Sequence, residues 1–267
     1  MTPAPQALGA ALVTGAARRL GQAMALDLAA RGMAVAVHYH GAADAAEETA
    51  EAARAAGAPL AVALSADLLD REETASLVAR AAQALGRPLD VLVNNASIFE
   101  HDTIRTATWE SWDRHVGSNL RAPFELIQAF AAQAPEPGTD AAGEPVARAV
   151  VVNMIDQRVL KLTPEFSTYT IAKMGLWALT RTAAQGLAPQ IRVNAIGPGP
   201  TLRGARQSEA HFAGQRAATV LERGASAAEI CAALRFLLDA PGVTGQLICV
   251  DGGQHLGWRT PDVLGVE

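Results

Sequence analysis

The sequence predicts a doubly wound α/β fold: one domain over residues 1–267, with a seven-stranded parallel sheet and helices on both faces. Three observations carry that expectation. Short apolar runs alternate with helical patterns from one end of the chain to the other. The runs are apolar at every position, which is how a strand reads when its sheet is covered on both sides. Half of the 267 residues are apolar and 18% are charged, so the chain has material for a large core and lies well away from disorder.

Taken in order, AALV at residues 10–13 is the first strand, and residues 20–31 follow with apolar positions at helical spacing. Strand 34–39, helix 42–56, strand 60–64, helix 71–84 and strand 91–93 repeat the unit. A long helical segment runs from about 108 to 134, then strand 149–154, helix 168–187 and strand 191–196. Helix 227–238, opened by a Ser226/Glu229 capping box, and strand 247–250 end the series. PEPGTDAAGEPVAR at 135–148 is rich in Pro, Gly and polar residues and reads as a surface insertion within the same domain. Residues 200–225, mixed in polarity after the sixth strand, read as a substrate loop and lid.

The net charge of −5 gives no general affinity for nucleic acid or anionic membrane. No uncharged run approaches the ~18 apolar residues of a spanning helix. Residues 1–17 lack the basic start and sustained apolar core of a signal peptide, so a cytoplasmic location is expected. Cys231 and Cys249 lie in apolar contexts and read as buried free thiols. No metal site is expected.

Thr14-Gly15-Ala16-Ala17-Arg18-Arg19-Leu20-Gly21 follows the first strand and opens the first helix. A turn of small residues there lets backbone N–H groups and the helix N-terminus approach a pyrophosphate, although a tight strand-to-helix connection would look the same. The second strand ends in His38-Tyr39-His40-Gly41, with no acid before Asp44. An NAD site generally places a carboxylate at that point; its absence, with Arg18 in the neighbouring loop, favours a 2′-phosphate and hence NADP(H). Asp67, after the third strand, would accept a hydrogen bond from the adenine amine.

Thr14-Gly15, Asn94-Asn95-Ala96, Asn119, Tyr169-x-x-x-Lys173 and Pro198-Gly199 stand in one order and spacing that resembles the short-chain dehydrogenase/reductase family across nearly the whole chain. The resemblance implies a Rossmann-type fold, commonly a homotetramer, with nicotinamide beside Pro198-Gly199. It also implies Gly15, Leu20, Leu68, Asn95 and Ala96 along the cofactor, and Asn119 anchoring a kinked helix and a proton-relay water. Finer detail is similar to the pteridine reductases and the related short-chain dihydromonapterin and dihydrofolate reductases: Arg19 in TGAARRLG, HYH after the second strand, Phe99 in NNASIF, GSNLRAP, and Asp156 in NMID. That branch implies Arg19 and Ser97 on ligand or cofactor phosphate, and a pterin sandwiched between Phe99 and nicotinamide. Gly41 and Ala42 depart from relatives with a basic residue there, which leaves the 2′-phosphate to Arg18, His38 and His40.

Tyr169 and Lys173 lie four apart on one face of a predicted helix. A lysine ammonium near a phenol lowers its pKa toward working pH, as a general acid requires, and Lys173 can also hold the nicotinamide ribose. Asp156, thirteen residues before Tyr169, stands where a ketone reductase would carry serine. A carboxylate accepts from pterin N–H groups and, when protonated in a dry pocket, donates to a ring nitrogen. The expected reaction is therefore hydride transfer from NADPH to a ring C=N of a dihydropterin, dihydromonapterin or dihydrofolate, with Tyr169 and Asp156 delivering the proton. Reduction of a ketone or 3-oxoacyl group, a non-catalytic NADP-binding sensor, and a merely turn-capping Asp156 remain open. Arg203, Arg206 and Arg216 would meet an acidic substrate tail or form a solvated face, and Trp258 would border the pocket or a subunit interface.

Overall fold

A computed structural model of the chain describes residues 9–204 and 207–260. Seven parallel strands form its sheet: β1 (Ala10–Val13), β2 (Ala34–Tyr39), β3 (Ala61–Ser65), β4 (Val91–Asn94), β7 (Ala149–Met154), β8 (Ile191–Pro198) and β9 (Leu247–Val250). The spatial order is β3-β2-β1-β4-β7-β8-β9, so the chain reverses its winding between β1 and β4. The crevice above the carboxyl ends at such a switch point is where an open α/β sheet binds ligands.

The all-apolar strands are explained by what lies on either side. On one face Val13, Val35 and Val37 pack with Met24 and Leu28 of α1 (Arg19–Ala30), Ala46, Ala50 and Ala53 of α2 (Ala43–Ala56), and Ile230 and Leu234 of α8 (Ala227–Asp239). On the other, Leu12 and Ala36 pack with Leu77 of α3 (Arg71–Leu85), Leu126 and Phe130 of α5 (Ala122–Ala131), and Ala184 of α6 (Ser167–Gly186). Successive residues of β1 serve opposite cores, as the period of two requires. The Ser226/Glu229 capping box opens α8 as read from the sequence.

Three segments differ from the sequence reading. The helix expected over 108–134 is α4 (Trp109–Val116), a π-helical turn (Gly117–Arg121) and α5. Pro123 has no N–H for the carbonyl four residues back, and wider hydrogen bonding over this turn carries the chain past the missing donor. The 135–148 insertion folds into a two-stranded hairpin, β5 (Gly138–Thr139) with β6 (Pro145–Val146). Its turn is tied by Asp140, whose carboxylate accepts from Ala142 N and Glu144 N at 2.8 and 2.9 Å. Within 200–225 a helix, α7 (Glu209–Ala217), begins where Ser208 caps the His211 amide. Among the described residues no helix is long and apolar enough to cross a membrane, and no group of His, Cys, Asp and Glu could hold a metal.

Candidate active site

The site begins where β7 ends. Lys173 on α6 reaches back to donate from Nζ to the Met154 carbonyl at 2.8 Å. Two residues later Asp156 caps a short 3-10 turn (Gln157–Leu160), its Oδ1 accepting from Arg158 N at 2.8 Å. That bond fixes the carboxylate, and Oδ2 accepts the Tyr169 hydroxyl at 3.0 Å. The residues that the sequence set thirteen apart are thus in direct contact.

Their electrostatics reverse one expectation. Lys173 lies 5.7 Å from the Tyr169 ring centroid, yet its ammonium is engaged by the Met154 carbonyl. Burial, and then the Asp156 carboxylate that accepts from it, push the Tyr169 phenol well above its ordinary value. Burial also raises the Asp156 carboxyl, against the opposing Arg158 amide, and lowers Lys173 to about 8. In this structure the pair therefore favours holding protons; Lys173 does not create a phenolate.

The mouth of the site beside Tyr169 is aromatic. Asn119, fully buried in the π-helical turn, accepts from Ile98 N at 2.9 Å and donates to Ile98 O at 2.8 Å. Both bonds pin the segment after β4 that carries Ser97 and Phe99. Phe99 remains 44% exposed, stacks on Phe166 with centroids 4.4 Å apart, and meets Tyr169 edge-on at 4.7 Å. Phe99, Asp156, Pro198 and Gly199 share a cleft of about 160 Å³. Gln157 and Arg158 also line it, as do Thr201, Leu202 and Phe212 from the segment after β8, and Arg158 lies 5.0 Å over the Phe166 ring.

The cofactor side is built on the turn after β1. Thr14 Oγ1 accepts from Asn95 N and Ala96 N at 2.9 and 3.0 Å, and Asn95 Nδ2 returns bonds to Thr14 O and Gly15 O. Gly15 has φ +61 and a Cβ there would lie 3.0 Å from Ala96 Cα; at Gly21 a Cβ would lie 2.2 Å from Gly15 O. Both must be glycine. No side chain caps α1, so the turn leaves helix N-terminal amides for an anion. A second cleft of about 310 Å³, lined by His40, Asp67, Leu68, Ala96 and Ser97, adjoins this turn through Ala96. Donors, glycine cradle and cleft fit a phosphorylated dinucleotide.

His38 does not join them. Gly15 N donates to its Nδ1 at 3.0 Å, so the proton sits on Nε2, 3.1 Å from Ala66 O. Both ring nitrogens of this buried side chain serve backbone, which corrects its expected place on the 2′-phosphate; Arg18 and His40 are the exposed cationic candidates, with Tyr39 half-buried between. His40 lies 3.7 Å from Asp67. Arg19, at φ +60, donates to Leu202 O and Arg203 O at 3.1 and 2.9 Å, tying the turn to the 200–225 loop. Arg216 likewise meets Pro200 O and Ala225 O, both at 2.8 Å, joining the loop's two ends; it is no solvated face. Arg203 donates to Gln207 O, and Arg206 lies outside the described residues. Trp258 is exposed beside Arg259. Burial pushes the free thiols of Cys231 and Cys249 up to about 11 and 12, which leaves them unreactive.

Burial lowers the His38 pKa from 6.5 to about 4. The unfolded chain therefore binds this proton more readily, and the stability it confers above pH 6.5 is lost as pH falls toward 4. His38 should contribute a fall of about 1.6 kcal/mol between pH 6.5 and 5, and in urea unfolding the wild type should lose stability more steeply than His38→Gln, where His115 still titrates. Equal slopes would remove His38 as its source.

Sequence reasoning missed Asp102, His115, Phe166 and Arg114. Each reaches the site through partners distant in the chain, as when Thr168 donates to Asp102 across 66 residues, and no local pattern marks such a pairing.

A Tyr–Lys pair on α6, set against the end of β7 and beside a dinucleotide cradle at the switch point, defines a class of oxidoreductase, and the comparisons agree. The family model described as "Enoyl-(Acyl carrier protein) reductase" matches residues 15–255. The chain belongs to the short-chain dehydrogenase/reductase family, in its pteridine reductase-like branch. Pteridine reductase 1 of Leishmania tarentolae is 33% identical over 96% of this chain and 99% of its own. A crystal structure of the FolM alternative dihydrofolate reductase 1 of Brucella canis, complexed with NADP, superposes with a TM-score of 0.88 at 40% identity, covering 97% and 98% of the two chains. The 3-oxoacyl-[acyl-carrier-protein] reductase FabG of Staphylococcus aureus is 31% identical over 92% and 98%.

Proposed function

We propose that the chain reduces a ring C=N of a dihydropterin, dihydromonapterin or dihydrofolate with NADPH. The observation that carries this reading is the Asp156 carboxyl, 3.0 Å from the Tyr169 hydroxyl and sharing a cleft with Phe99. Bound NADPH would supply the hydride, to the ring carbon. Tyr169 and Asp156, both held toward their protonated forms, supply the proton that the adjacent nitrogen must take up. Asp156 accepts from amine and ring N–H groups, a task for which a serine hydroxyl is poorly equipped. Phe99 offers the pterin a ring to stack on, and Ser97 would meet the phosphates, as would Arg19 on leaving the Leu202 and Arg203 carbonyls. Lys173 would hold the nicotinamide ribose, Asn119 a relay water, and Arg18 and His40 the 2′-phosphate. Gly15, Leu20, Tyr39, Asp67, Leu68, Asn95, Ala96, Pro198 and Gly199 would line the cofactor.

The pteridine reductase and FolM likenesses support the pterin; the FabG likeness makes a 3-oxoacyl ketone the competing substrate. A panel of dihydropterins, dihydrofolate and 3-oxoacyl thioesters, each with NADPH and NADH, decides between them. Faster NADPH oxidation by the pterins is expected, and turnover confined to ketones would overturn the reading. Binding of NADPH with no turnover would mark a sensor. We read residues 1–267 as one cytoplasmic functional unit with 200–225 closing on the substrate. Exposed Trp109, Ile171 and Met174 on α4 and α6 support association into a homotetramer, which light scattering would measure.

A further inference from the structure

Behind Tyr169 lies a buried polar chain that the chemistry above does not use. Asp102, His115 and Thr168 are each at most 3% exposed. Glu100 N donates to His115 Nε2 at 3.1 Å. A backbone amide can only donate, so this ring is neutral and its proton is on Nδ1, 2.7 Å from Thr168 Oγ1. The Thr168 hydroxyl, receiving that proton, must turn its own toward Asp102 Oδ2. Asp102 also accepts from Thr168 N at 3.2 Å and Ser111 Oγ at 3.1 Å, while its carbonyl accepts from Phe166 N at 2.7 Å. Every donor direction in the chain is fixed by the one before it.

The bonds connect three pieces of the fold. Glu100 and Asp102 belong to the segment that carries Phe99; Ser111 and His115 to α4; and Thr168 immediately precedes Tyr169 on α6. Phe166, at the start of α6, is held at φ +59, an uncommon backbone for an aromatic residue. Its amide bond to Asp102 and its stacking on Phe99 hold it there. Burial lowers His115, keeping the ring in the neutral form that Glu100 N demands.

We propose that Asp102, Thr168 and His115 are positioning residues that fix the Phe99 ring relative to the Tyr169 hydroxyl, and so set where a flat substrate lies against its proton donor. None of the three need touch substrate. The proposal rests on Tyr169 as the proton donor, a role that would serve pterin and ketone alike.

The test is a comparison of Thr168→Val, which deletes the hydroxyl at nearly constant volume, with Thr168→Ser, which restores it. A misplacement of about 1 Å costs up to ~10²-fold in rate, so Thr168→Val should lower kcat at least about ten-fold and raise the substrate KM. NADPH affinity, read from nicotinamide fluorescence, should stay within about two-fold, and Thr168→Ser within about three-fold of wild-type kcat. Thr168→Val that loses thermal stability but keeps kcat and KM overturns the proposal, as does a parallel loss of NADPH affinity. Should that variant not fold, Asp102→Asn is read by the same criteria. Wild-type turnover tests the pterin reading; variant-to-wild-type ratios, on whichever substrate the wild type reduces, test this one.

Discussion

Tyr169→Phe should lower kcat for the preferred substrate by about 10²–10⁴-fold, the usual contribution of a positioned general acid. The hydroxyl is the one polar side-chain group of Tyr169; it donates to Asp156 at 3.0 Å and also meets Ser97, so the variant removes proton delivery while leaving the ring beside Phe99. Packing is little changed and NADPH affinity should hold. Removing the hydroxyl also takes away one of the groups that hold the Asp156 carboxyl down, so the carboxyl rises further above its ordinary range. Stopped-flow NADPH oxidation measures the effect. A kcat within about three-fold of wild type would mean that the proton arrives by another route.

Asp156→Ser should separate the two candidate substrates. Loss of the acceptor and of the shared proton predicts a fall of about 10²-fold in kcat/KM for the pterin, with 3-oxoacyl turnover spared or raised. The same change moves Tyr169. Asp156 raises the phenol both as a nearby charge and as its hydrogen-bond acceptor, so the phenol falls when the carboxylate is removed. The alkaline limb of the rate profile, where the phenol ionises, should then shift to lower pH. Stability should not suffer. The folded carboxyl is raised by burial, so its ionised form opposes folding as pH climbs past the unfolded value, and serine caps the 3-10 turn as well as aspartate does. An equal or higher Tm with lost pterin turnover is the expected pattern; unchanged pterin turnover would remove the carboxylate from the mechanism.

Much of this was legible in the sequence because the features concerned are local or fully buried. Strands with apolar residues at nearly every position announce a covered parallel sheet, and β1, β2, β3, β4, β7, β8 and β9 lie within a few residues of where the pattern puts them. Tyr169 and Lys173 project together because α-helical geometry leaves little choice. What was not legible depends on direction and distance. His38 sits one residue before the half-buried strand end at Tyr39, and only the fold decides that its ring turns inward to Gly15. Lys173 was expected to lower the Tyr169 pKa because proximity along a helix is readable; the Met154 carbonyl that engages its ammonium is 19 residues away. The π-helical turn at Asn119 leaves no trace in a periodicity averaged over 108–134.

The turn after β1 is braced from three adjacent strands: by Thr14 from β1, by His38 from β2 and by Asn95 just beyond β4. Its shape is therefore settled when the sheet forms. A dinucleotide bound there, as proposed, would find amides already aligned and would spend little of its binding energy on ordering backbone. Affinity for the phosphates becomes a property inherited from folding, and a mutation that loosens the sheet under Gly15 would surface first as weaker cofactor binding.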